Sequence, residues 1–204
     1  MNHIHFGLFC EGPTDRAALP PFIDKVMLHL RATEANASNF EWSVDIDAGK
    51  SSNENLAKAI ENNYYDIILV HRDGSNNPQQ MRDGILEIAN ASVPIIPVYE
   101  VEAWLIVDFD AFRKATNTSV QKILPQAPSL NQIETINDPK EIAKIIFKEC
   151  LGYLPSSRQF GDENWYGLVA EEVRFARVRQ LHWFDTFIFD LRNGLLELGW
   201  PFPN

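Results

Sequence analysis

The feature that most limits the fold is an alternation. Four short apolar runs, HIHFGLFC (3–10), FEWSVDI (40–46), DIILV (66–70) and VPIIPV (93–98), are separated by stretches whose apolar residues recur at helical spacing. Leu19, Phe22, Ile23, Val26 and Leu30 predict a helix over 13–31, with Thr14 as its cap. Leu56 and Ile60 predict a short helix over 51–63, and Met81, Ile85, Leu86 and Ile88 one over 78–91. Strand–helix alternation means βαβ units: a mainly parallel, Rossmann-like sheet with helices on its faces. DIILV reads as a doubly buried strand. The two prolines of VPIIPV place that strand at an edge or a bulge.

After residue 98 the pattern changes. Helices are expected over 100–107, 110–116, 139–150 (capped by Asp138), 168–175 and 182–198, with a polar, loop-like stretch over 117–137 that contains Pro125 and Pro128. The chain therefore divides into an α/β domain over 1–108 and a helical extension over 109–204 packed on it. The longest apolar runs fall well short of the roughly 18 residues of a membrane span. The start runs straight into a strand without a basic leader, so no signal peptide is expected. Two scattered cysteines, Cys10 and Cys150, form no disulfide framework and point to the cytoplasm. Cys10 reads as a small buried hydrophobe rather than a nucleophile.

Parallel sheets bind ligands at the carboxyl ends of their strands, and nearly every strand here ends in acid. Glu11 and Asp15 follow the first, Asp45 and Asp47 the second, His71 and Asp73 the third, Glu100 and Glu102 the fourth. Carboxylates converging on one edge repel unless a cation sits among them. A hard divalent ion, Mg²⁺ or Mn²⁺, suits such oxygen ligands. Each acid also has a plain structural use: Glu11 and Asp15 suit a helix first turn, Asp73-Gly74-Ser75-Asn76 is a good turn, and Glu100 and Glu102 suit a solvated helix start. Gly49-Lys50-Ser51 resembles the tail of a phosphate-binding loop but lacks its first glycine. His71-Arg72-Asp73 lacks the surroundings of a kinase catalytic loop. Trp104, Trp165, Trp183 and Trp200 are expected mainly to fill the helical layer rather than to stack on bases.

An apolar strand ending in Glu11-Gly12-Pro13-Thr14-Asp15, followed by a later strand ending in a short acidic motif, resembles the TOPRIM domain of topoisomerases, primases and the overcoming-lysogenization-defect nucleases. The chain is more closely similar to a bacterial TOPRIM-like family, domain of unknown function family 4276. The residues that carry this likeness are the Glu-Gly-Pro-Thr-Asp motif, the Asp73-Gly74 pair, VPIIPVYEVEAWLIVD (93–108) with Glu102-Ala103-Trp104-Leu105 and Asp108, NDPKEIAKIIF (137–147) and RQLHWFDTFIFDLRNGLLELGW (179–200).

The resemblance implies a nuclease that hydrolyses phosphodiesters of DNA or RNA with Mg²⁺ or Mn²⁺. Glu11, Asp73 and Glu102 would be catalytic, and Glu11, Asp73, His71 and Glu102 would hold metal. Asp15, Glu100, Arg72 and Asp108 would support them, with Arg72 or Lys50 neutralising phosphate charge. It also implies a role in anti-phage defence beside an ABC- or SMC-like ATPase encoded nearby, with a homo-oligomer as another assembly. The alternative is a catalytically degenerate subunit that regulates that ATPase. TOPRIM third strands usually end in Asp-x-Asp, and here His71 replaces the first aspartate. Imidazole suits Mn²⁺, Zn²⁺ or Fe²⁺ better than Mg²⁺. The net charge of −10 repels a polyanion, so a partner would have to supply the phosphate grip.

Overall fold

The computed structural model describes residues 3–33, 40–88, 92–118, 128–153 and 164–200. Strands β1 (His3–Phe9), β2 (Glu41–Gly49), β3 (Ile67–His71) and β4 (Ser92–Ile95) form a four-stranded sheet in the order β2-β1-β3-β4. Every pairing is parallel, as the alternation predicts. Pro94 lies on β4, an edge strand where a missing amide donor costs no ladder bond. All carboxyl ends therefore open on one side of the sheet.

Helix α1 (Pro13–Thr33) and its apolar stripe cover one face: Leu19, Phe22, Ile23, Val26 and Leu30 are buried against Ile4, Phe6 and Leu8 of β1. Helices α2 (Asn53–Asn62) and α3 (Pro78–Ile88) cover the other face, where Leu56, Ala59 and Ile85 meet Phe9, Ile68 and Val70. The alternating side chains of β1 and β3 thus serve two cores, which explains why DIILV is apolar throughout.

Among the described residues the remaining helices are α4 (Glu102–Leu105), α5 (Phe109–Ala115), α6 (Leu130–Ile133), α7 (Pro139–Leu151), α8 (Trp165–Glu172), α9 (Phe175–Val178) and α10 (His182–Glu197). They join the core on the α1 face. Trp104 is fully buried and packs edge-on against Phe22 of α1 and Phe184 of α10, so it is a core residue. Trp200 is buried and stacks on Phe40 at 3.9 Å between centroids. Gly194 lets α10 approach the sheet, since a Cβ there would come 3.1 Å from Val93.

Several boundaries differ from expectation. Strand β2 runs to Gly49, so Asp45 and Asp47 lie within it rather than after it; Asp45 accepts a hydrogen bond from the Tyr65 hydroxyl at 2.7 Å. Helix α4 is a single turn that ends at Leu105, and Tyr99, with φ 61°, marks the turn that leads into it. The helix expected over 168–175 is α8 followed by a break, at the point where the Arg174 N–H donates to Asp108. A short α6 interrupts the expected loop, whose residues 119–127, Pro125 included, lie outside the described residues. Asp138 caps α7 as expected, accepting from the Glu141 N–H at 2.8 Å.

Candidate metal centre at the carboxyl edge

The turn after β1 begins the site. Gly12 precedes α1, and its N–H donates to Asp15 Oδ2 at 2.8 Å. Asp15, not Thr14, therefore makes the cap contact: an acid in the first turn reaches back to the chain before the helix. That contact fixes the turn and leaves Glu11 exposed at the strand end.

His71, the last residue of β3, is fully buried. Its Nδ1 lies 3.6 Å from Asp15 Oδ2 and its Nε2 3.7 Å from Asp73 Oδ1. Neither ring nitrogen makes a hydrogen bond, and the buried Oδ1 of Asp73 makes none either. Burial holds the imidazole pKa below its ordinary value, with Asp15 opposing.

The loop carrying Asp73 is pinned to the loop after β4. The Gly74 N–H donates to the Pro97 carbonyl at 2.9 Å, and Ser75 bridges to Tyr99. A Cβ at Gly74 would lie 2.6 Å from that carbonyl, so the close approach requires glycine. This contact brings Asp73 into the field of Glu100 and Glu102.

Five carboxylates, Glu11, Asp15, Asp73, Glu100 and Glu102, now share one edge. Burial pushes the Asp73 carboxyl up to about 7, helped by Asp15, Glu11, Glu100 and Glu102. Burial and then Asp15 raise Glu11, with Arg72 opposing. Burial also raises Glu102, with Lys140 opposing. A carboxyl raised by several neighbouring carboxylates marks a place short of positive charge.

Arg72 stands close enough to act on Glu11, but its guanidinium is tied to α2, donating to the Ser51 carbonyl at 2.7 Å and to Asn53 Oδ1 at 2.7 Å. Lys50 is exposed just past the end of β2. Cys10 is fully buried in the α1-side core, as expected of a small hydrophobe.

Asp108 is a correction. It is not brought to this edge: it is buried in a two-pronged pair with Arg174 at 2.6 Å on each oxygen. Burial would raise it, but the hydrogen bonds from Arg174 outweigh that and hold it below the usual carboxylate range. The pair ties the start of α5 to the turn before α9.

Two residues at the site escaped sequence reasoning. Lys140 lies 3.2 Å from Glu100 Oε1 and 3.6 Å from Glu102 Oε1. Its signal was a lysine in a helix first turn, where the dipole disfavours a cation. Tyr166, buried on α8, hydrogen-bonds Glu102, and no sequence pattern marked it.

The donor set fits a divalent cation. Carboxylate oxygens are ligands for Mn²⁺ or Mg²⁺ and a neutral imidazole is a poorer ligand for Mg²⁺; the buried ring nitrogens of His71 and Oδ1 of Asp73 make no hydrogen bond. Among the described residues no group of three or more His, Cys, Asp or Glu side chains stands in metal-holding geometry. Residues 10–192 match the family described as Domain of unknown function (DUF4276). No curated protein and no solved structure matches the chain.

Proposed function

The chain belongs to that family, and from this premise we propose that it is a divalent-metal-dependent phosphodiesterase of the TOPRIM kind, a nuclease acting on DNA or RNA. The observation that carries the reading is the crowding of Glu11, Asp15, Glu100 and Glu102 around Asp73, whose carboxyl is lifted to about 7, beside the unpartnered His71 ring. Glu11, Asp73 and His71 would hold a cation, with Glu102 on its far side. A bound cation would polarise the phosphodiester and acidify a water molecule. Arg72, anchored to α2, keeps a positive charge beside Glu11 and so favours its ionised form. Asp15 orients the turn that presents Glu11.

The net charge of −10 supports a partner that contributes basic surface, and the TOPRIM likeness makes an ABC- or SMC-like ATPase the expected one, in a defence role. A second copy of this chain is the other candidate. The degenerate reading, in which the chain regulates that ATPase without cutting, draws on His71 standing where TOPRIM domains carry aspartate.

The test is cleavage of single- and double-stranded DNA and RNA in Mn²⁺ and Mg²⁺ at low salt, with the chain alone and with the adjacent gene product. Cleavage lost in both Glu11→Gln and Asp73→Asn supports the nuclease. Metal binding without cleavage in either assembly supports the regulatory reading.

A further inference from the structure

The acidic edge has two unequal halves. Asp15 and Asp73 flank His71 and leave its ring unpartnered, and Glu11 acts on Asp73 from the end of β1. Glu100 and Glu102 already have a cation. Lys140 stretches from the first turn of α7 to hydrogen-bond Glu100 Oε1, with Glu102 Oε1 at 3.6 Å. Tyr166 braces Glu102 from α8. A lysine at a helix N-terminus opposes the dipole, so its placement needs another cause, and the two glutamates supply it.

Resting on the reading of this edge as a cation site, we propose that Lys140 is the resident cation of the Glu100–Glu102 half. The centre then takes a single divalent ion, at the Glu11–Asp73–His71 half, and the ammonium is its fixed second positive charge. A second divalent ion would have to displace an ammonium already paired with both glutamates. The Lys140 side chain is 40% exposed, and an ammonium has three donors, so it can turn a free N–H toward a phosphate oxygen while holding Glu100. Lys140 is in this sense a positioning residue: it sets how many ions the edge accepts and where the substrate's charge is met.

Calorimetric titration of the whole chain with Mn²⁺ tests this without reference to activity. Wild type should take up a single ion per chain. Lys140→Met should keep that ion and admit a second, which the double variant Lys140→Met/Glu100→Gln loses again; Lys140→Arg should restore single occupancy. Two ions in wild type would overturn the role of Lys140 while leaving the metal reading intact, and that outcome holds even if Lys140→Met fails to fold. A folded Lys140→Met chain that still takes up a single ion would overturn it too. No ion in wild type would overturn the metal reading itself, and this inference with it.

Discussion

Two kinds of buried or half-buried acid stand in this molecule. Asp108 and Asp190 each receive a two-pronged arginine, Arg174 and Arg82, with contacts of 2.6 to 2.7 Å. Asp73 and Glu102 at the carboxyl edge receive none, and both are raised chiefly by burial. Where an acid only ties elements together, as Asp190 ties α10 to Arg82 on α3, the fold supplies a guanidinium that matches the carboxylate fork. At the edge it supplies five carboxylates with Lys140 and a tethered Arg72. The contrast teaches that the shortage of positive charge is local, and such a place suits a cation from solution.

The largest expected effect breaks the satisfied side. Arg82→Met leaves the Asp190 carboxylate, 7% exposed, without its partner. Because Arg82 itself is partly solvated, the loss should be about 3 kcal/mol, at the low end for a broken buried pair, read as a lower midpoint in urea unfolding. An unchanged midpoint would mean that Asp190 is solvated on its own.

Next comes the contact that assembles the edge. Gly74→Ala forces a Cβ against the Pro97 carbonyl and should cost about 2 kcal/mol, with weaker Mn²⁺ binding, since Asp73 shifts relative to His71 and Glu11. Loss of stability with metal binding intact would separate the loop from the site.

On the unsatisfied side the sign reverses. Asp73→Asn, measured in chelator, should be as stable as wild type or more so, the gain held to about 1 kcal/mol because the side chain is 37% exposed and its charge partly screened. The pH dependence follows from the raised carboxyl. An unfolded aspartate loses its proton near 3.9, while folded Asp73 keeps it to about 7. Over that window the folded chain binds more protons, so this residue makes stability fall as pH rises from about 4 to about 7 and contributes no further slope above. Thermal melts of Asp73→Asn should show a shallower fall across the same window. The same slope in both proteins would assign the fall to other groups.

The smallest effect concerns ion preference. His71→Asp should shift relative affinity from Mn²⁺ toward Mg²⁺ by severalfold, seen by competition calorimetry. An unaltered preference would make His71 a spacer between Asp15 and Asp73.

The sequence made the sheet and the edge legible for a physical reason. Parallel strands buried on both faces, such as 67–71, need continuous apolar runs, and their carboxyl ends are where the polar residues of 11, 71, 73 and 100 must emerge. What stayed hidden depends on contacts between distant segments. Asp108 reads like its neighbours in sequence, yet Arg174, 66 residues away, claims it. Lys140 and Tyr166 reach the site only because α7 and α8 pack beside α4. The end of β2 was misplaced because alternation does not tell Asp45 within a strand from an acid after it, until Tyr65 is seen to bond it.

The most direct measurement is anomalous diffraction at the manganese edge from crystals grown with Mn²⁺. The expected result is a peak among Glu11, Asp73 and His71, with Lys140 still on Glu100 and Glu102. An ordered edge without a peak there, while manganese binds elsewhere on the chain, would contradict the claim that these acids are kept for a cation.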